Sequence, residues 1–249
     1  MTKNASAGNH STGIWAPLSN ISLLANAVER AMSRAPNLPG IVVMNGPAGY
    51  GKTMAATYCS NKFDGICIEC RSFFSAKNLM EALLREAGIV AGRRLADMHD
   101  QLVQELRLSR KPIFIDEVDH IAESKTLQII RDIHDAAQCA VVLIGEENLP
   151  KKLLRTERFY RRVLVWQPAS AASERDAQQL ARFYSPNVEI EEDLIKHLYK
   201  DSKSTVGRIC VNVDAVREYA HTHGLKKIGL KEWGERAFPT DSPLPRRPL

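Results

Sequence analysis

A doubly wound α/β domain followed by a small all-α lid is the fold class this sequence predicts, and three observations predict it. Five short runs that are apolar or rich in β-branched residues, at 41–45, 66–70, 112–116, 140–145 and 163–166, alternate with helical patterns. These runs are apolar throughout rather than every second residue, as in parallel strands covered on both faces. Beyond Gln167-Pro168 only helical periodicity remains, so the sheet gives way to a helical unit.

The elements follow in order. Residues 1–13 are polar and rich in Asn, Ser, Thr and Gly, and read as a flexible tail. Ile21, Leu24, Val28 and Met32 have helical spacing over 19–34, with Ser19 or Asn20 as the N-cap. The stretch 36–40, opened by Pro36 and closed by Gly40, ends that helix and leads into the strand at 41–45. Helical patterns then fill 52–61, 76–87, 95–109 and 125–137 between the later strands. After the last strand, 173–184, 191–200, 206–223 and 230–236 are helical with no strand between them. The α/β domain is expected over 14–168, the lid over 169–237, and a proline-rich extended tail over 238–249.

Composition narrows the function. The chain of 249 residues is 44% hydrophobic and 25% charged, which excludes a disordered chain. The longest apolar runs, 41–44 and 140–144, fall far short of the ~20 residues that cross a bilayer. The opening MTKNASAGNHSTG has no apolar core, so no secretory signal and a cytoplasmic location are expected, in the host cell if the chain is phage-encoded. Lys and Arg outnumber Asp and Glu by 34 to 29, an excess that permits a nucleic-acid partner without requiring one. The five cysteines are scattered, and Cys67 and Cys70 lie in a strand with no further zinc ligands nearby, so they read as core thiols. Trp15, Trp166 and Trp233 read as packing residues.

The strongest motif is Gly46-Pro47-Ala48-Gly49-Tyr50-Gly51-Lys52-Thr53, a complete GxxxxGK[ST] between a strand and a helix. The glycines let the backbone curl until its N–H groups point inward at phosphate oxygens. The helix that follows adds the positive end of its dipole. Lys52 reaches the β- and γ-phosphates, Thr53 supplies a hydroxyl to Mg²⁺, and Met54 completes the nucleotide-binding stretch. The expected cofactors are ATP and Mg²⁺.

The strand at 112–116 ends in Asp116 and Glu117. A carboxylate at that strand end lies beside the phosphate loop, where Asp116 would hold Mg²⁺. Glu117 next to it can polarise the attacking water in γ-phosphate hydrolysis. Asp119 and His120 continue the loop and could be surface residues.

Glycine loop, Asp-Glu strand end, five strands and helical lid together resemble an AAA+ P-loop ATPase, over about residues 14–237. The resemblance implies a five-stranded parallel sheet in the order 5-1-4-3-2. It implies a polar sensor after the fourth strand, for which Glu146 and Asn148 are the candidates, an acid at 146 being a departure. It also implies a second sensor opening a lid helix, at Arg208, directed at the γ-phosphate. Between the fourth and fifth strands, 151–162 carries six basic residues and one acid. In AAA+ oligomers an arginine of this region completes the neighbouring ATP site. Arg158 and Arg161 are the choices here, with Arg155 and Arg162 also possible.

Within that class, NGPAGYGKT, IFIDEVDHI, LIGEENL and RFYRRV are similar to the bacteriophage Mu B-like ATPases that select target DNA in transposition, without their N-terminal helix-turn-helix domain. The resemblance implies an ATP-dependent ring or helical filament on duplex DNA that recruits and activates a transposase, with no membrane partner. It places candidate DNA contacts after the second strand, at Arg71, Ser75 and Lys77, and at Arg93 and Arg94 where the next helix starts. Contacts of this kind go to phosphates and read no sequence. A helicase loader or replication-initiation ATPase is an alternative, as is a secretion-type ATPase with protein partners only.

Overall fold

The computed structural model describes residues 16–122 and 125–240. The expectations for the 1–13 tail, for Trp15 and for 241–249 lie outside them. Five strands, β1 (Ile41–Asn45), β2 (Ile66–Glu69), β3 (Ile113–Asp116), β4 (Val141–Gly145) and β5 (Val163–Pro168), form one parallel sheet. Its order, β2-β3-β4-β1-β5, is the expected 5-1-4-3-2 counted from the other edge. Every residue of β3 and β4 is buried, while β5, at an edge, is half-exposed.

Alternation along each strand sorts the core into two layers. Val42, Met44, Phe114, Val142 and Ile144 face one side, together with α1 (Ser19–Met32) and α2 (Lys52–Lys62). Ile41, Val43, Ile113, Ile115, Val141 and Leu143 face the other, under α3 (Ala76–Glu86), α4 (Leu95–Ser109) and α5 (Thr126–Ala137). The basic stretch after β4 folds as two short helices, α6 (Leu149–Leu154) and α7 (Glu157–Tyr160), anchored in this second layer by Leu149, Leu153 and Phe159. Burial pushes the thiols of Cys59, Cys70 and Cys139 up to about 12, so they pack as small apolar groups.

The C-terminal part is helical: α8 (Glu174–Tyr184), α9 (Glu192–Asp201), α10 (Val206–Thr222) and α11 (Leu230–Trp233). One detail departs from the sequence reading. Two-residue strands β6 (Glu189–Ile190) and β7 (Lys227–Ile228) pair in parallel and tie the approaches to α9 and α11. A pair this short leaves no periodicity to read. Phe238, which opens the proline-rich stretch, is buried and stacks on Trp233 with ring centroids 5.2 Å apart. Among the described residues no helix is long and apolar enough to cross a membrane.

The start of α1 also differs from expectation. Its N-cap position is Leu18, which offers no side-chain cap. Ser19 and Asn20 are the first helical residues, and their side chains reach outward instead. The Ser19 N–H and hydroxyl donate to the Asp176 carboxylate at the start of α8, at 2.8 and 2.9 Å. The Asn20 amide donates to the carbonyls of Tyr50 and Ser170, both at 2.8 Å, and its oxygen accepts the Ser170 N–H at 2.9 Å. Helix α1 therefore fastens the glycine loop to the segment that joins β5 to α8.

Candidate nucleotide site

The loop 46–51 leaves β1, which lies between β4 and the edge strand β5, and runs into α2. Gly51 caps α2 in the left-handed conformation, at φ 79°. Gly49 shares that φ, and a Cβ on it would stand 2.5 Å from Thr205 Cγ2. Only glycine meets both demands. The contact exists because the start of α10 lies directly on the loop: the Gly207 N–H donates to the Gly49 carbonyl at 3.3 Å. Pro47 supplies a carbonyl at the same turn, Ala48 and Gly49 are exposed, and Tyr50 is half-buried with its carbonyl held by Asn20. Met54, one turn into α2, packs against the core.

Lys52 Nζ folds back over the loop and donates to the carbonyls of Gly46 and Pro47 at 2.7 and 2.8 Å. Burial lowers its pKa, against the pull of Glu117, Asp116, Glu146 and Asp119. The ammonium thus lies in the field of four carboxylates gathered from the ends of β3 and β4. Asp116 is buried, and one of its oxygens accepts the Glu117 N–H at 2.8 Å. Glu117 sits in the left-handed region at φ 52°, an uncommon conformation for a residue with a Cβ. Burial and the neighbouring Asp116 raise its pKa, partly offset by His120 and Lys52.

The donor set suits a magnesium nucleotide. Thr53 is exposed on the first turn of α2, and its hydroxyl has no partner among the described residues. Its hydroxyl and the Asp116 carboxylate are both hard oxygen donors, the kind Mg²⁺ prefers.

The other candidates separate into two groups. Glu146 and Asn148 are both exposed on the loop after β4. Arg208 stands on the first turn of α10, one residue from the loop contact, but its guanidinium donates to the Thr240 carbonyl. Reaching a γ-phosphate from there means leaving that carbonyl. Arg161 pairs with Glu157 at 2.5 Å and Arg162 with Asp135 at 2.9 Å. Arg158 is exposed on α7, and among the described residues its guanidinium has no partner. Arg71, Ser75, Lys77, Arg93 and Arg94 are all exposed. Ser75 caps α3, Lys77 lies 3.7 Å from Glu81, and Arg94 pairs with Asp97 at 2.8 Å.

Sequence reasoning missed Asn20, Asp176 and the buried role of Asp119. A local signal existed for one of them. Ser173 and Asp176 form a capping box at the start of α8, and an S-x-x-D preceding an apolar helix announces that motif.

A glycine loop after the inner strand β1, an Asp-Glu pair at the end of β3, the order β2-β3-β4-β1-β5 and a helical C-terminal part define the class, a P-loop NTPase fold of the AAA+ type. Residues 37–153 match a family described as AAA domain. Among solved structures the chain is similar to the RuvB Holliday junction branch migration motor of Thermotoga maritima, at 17% identity and a TM-score of 0.60, covering 86% of this chain and 66% of that one. It is similar to the Orc1 protein of Aeropyrum pernix in complex with DNA, at 15% identity and a TM-score of 0.58, covering 84% and 61%. It is also similar to Cdc6p from Pyrobaculum aerophilum, at 15% identity and a TM-score of 0.61, covering 89% and 66%. The chain therefore spans slightly less than two thirds of the length of these structures. No curated protein matches it in sequence.

Proposed function

We propose that the protein is an ATP-dependent switch that binds duplex DNA. ATP held at 46–54 lets subunits assemble on the duplex, and the assembly selects target DNA and activates a transposase. Hydrolysis then dissolves it. The observation that carries the nucleotide reading is the position of Lys52, inside the glycine loop and in the field of Asp116 and Glu117. Thr53 and Asp116 would hold Mg²⁺, which when bound neutralises charge on the phosphates. Glu117 accepts a proton from, and orients, the attacking water. Arg158, and Arg161 once released from Glu157, are the arginines offered to an adjoining site. Glu146 or Asn148, with Arg208, would report the γ-phosphate.

The DNA part rests on the exposed cations Arg71, Lys77, Arg93 and Arg94, with Ser75 nearby, and on the similarity to the structures of a Holliday junction branch migration motor and of a protein in complex with DNA. Such contacts are electrostatic, so affinity falls steeply with salt. The transposase as partner rests on the sequence resemblance alone. The test is retention of duplex DNA at several salt concentrations, with and without ATP. ATP-dependent, salt-sensitive retention is expected, abolished by Lys52→Ala and prolonged by Glu117→Gln. Equal retention without nucleotide contradicts the switch.

The likeness to Orc1 and Cdc6p favours a second reading, a replication-initiation or helicase-loading ATPase. Association with a helicase and preference for single strands would support it over the first.

A further inference from the structure

We infer that Asp119 is a positioning residue that links the catalytic end of the sheet to α6 and, through it, to the arginine-bearing α7, an inference that rests on the ATPase reading above. Asp119 lies in the 3-10 turn Val118–His120, directly after Asp116 and Glu117. Its side chain is only 8% exposed. One carboxylate oxygen accepts the Glu146 N–H at 2.6 Å, at the end of β4. The other accepts Lys152 Nζ, on α6, at 3.0 Å. A single carboxylate thus joins the turn after β3, the loop after β4 and helix α6.

The surroundings are shaped for this contact. A Cβ at position 145 would stand 2.1 Å from the Asp119 oxygen, so glycine there is what lets the carboxylate reach the Glu146 amide. A buried carboxylate is costly without partners, and an ion pair in such a place contributes geometry more than stability. Lys152 is in turn fixed at its backbone, where its N–H donates to the Asn148 carbonyl and its carbonyl accepts the Arg155 N–H. Only two residues, Arg155 and Thr156, separate α6 from α7, which carries Arg158.

A displacement of the loop 146–148 therefore pulls on Asp119 and Lys152 together. Through Lys152 it moves α6 and, after it, α7. The subunit's own γ-phosphate region is in this way coupled to the arginine it offers to a neighbour. A carboxylate serving only local stability has no need to bond two separate elements that lead to different nucleotide sites.

The experiment compares Asp119→Asn, Lys152→Met, their double variant and Lys152→Arg in the full chain. It measures affinity for a fluorescent ATP analogue, kcat and KM for hydrolysis at protein and DNA concentrations that support the wild type, and thermal midpoint. ATP affinity should stay within about twofold, and kcat should fall about tenfold or more in Asp119→Asn and in Lys152→Met. The double variant should lose no more than the worse single, because both cut one link. Lys152→Arg, which keeps the cation, should recover most of the rate. Unchanged kcat in both single variants overturns the inference. So do losses that multiply in the double variant, and so does ATP affinity falling together with Tm, which marks simple fold support. A wild type that binds ATP, with variants that hydrolyse normally, refutes this link alone, whereas a wild type that binds no ATP refutes the ATPase reading and this link with it.

Discussion

The Asp176 carboxylate, at the start of α8, accepts both the backbone N–H and the hydroxyl of Ser19, at the start of α1, 157 positions earlier. The same carboxylate accepts the N–H and hydroxyl of Ser173 at 2.7 Å each. Burial acts to raise its pKa, but these bonds from Ser173 and Ser19 outweigh it, and the net shift is downward. The stabilisation is therefore fully present above the ordinary Asp value of about 4 and is lost as pH falls through the lower folded value. Asp176→Asn should lower stability near neutral pH by about 2–3 kcal/mol, since it leaves buried donors facing an amide. Denaturant unfolding at stepped pH checks this: the gap between wild type and variant should shrink in acid, and a gap independent of pH would contradict the assignment.

Asn20 is 4% exposed and clamps the Tyr50 carbonyl to both backbone groups of Ser170. Asn20→Leu nearly preserves volume but orphans those groups, at a cost of about 2–3 kcal/mol. Because Tyr50 belongs to the glycine loop, ATP affinity should weaken several-fold as well. Calorimetric unfolding and nucleotide titration on the same samples measure both. Loss of stability with affinity intact would show that the clamp serves the fold only.

Gly49 faces the start of α10 at φ 79°, with Thr205 Cγ2 2.5 Å from where a Cβ would sit. Gly49→Ala should push α10 off the loop and sharply weaken nucleotide binding. Thr205→Ser removes the opposing methyl, so the double variant should recover part of the loss. The remainder is the left-handed strain of about 1–2 kcal/mol on a residue with a Cβ. No recovery in the double variant would mean that the contact with α10 is unimportant.

Arg158, Arg161 and Arg162 differ in partners, and their alanine variants should differ accordingly. Arg162→Ala breaks the half-exposed pair with Asp135 and should cost up to about 1 kcal/mol of stability. Arg158→Ala should leave stability and ATP affinity unchanged but abolish the rise in specific hydrolysis with protein concentration. Thermal melts and concentration-dependent phosphate release distinguish them. A concentration-dependent rate that survives Arg158→Ala would move the role to Arg161 or Arg155.

The sheet was legible because its inner strands β1, β3 and β4, buried on both faces, must read as unbroken apolar runs, and because a complete glycine motif sits between the first of them and its helix. The Asp116-Glu117 pair was legible for a related reason, as acids ending an apolar strand are conspicuous. What escaped the sequence is long-range polar contact. Asp176 reads as a local cap, and nothing in its neighbourhood announces Ser19. Asn20 reads as a helix start, yet its amide bridges segments 30 and 150 positions away. Asp119 resembles a surface acid until Gly145 and Lys152 are brought beside it by the packing of β4 and α6 on the sheet. The proposed arginine and DNA contacts involve partners beyond the chain, so neither periodicity nor folding pins them down.

The most direct test is equilibrium titration of the wild type and Lys52→Ala with ATP and Mg²⁺, after thermal melts have established that both are folded. Saturable binding by the wild type, weakened about a hundredfold or more in Lys52→Ala, is the predicted result, since the variant loses a charge-assisted contact to the phosphates. A folded wild type with no measurable affinity, or a variant that binds as tightly as the wild type, would contradict it.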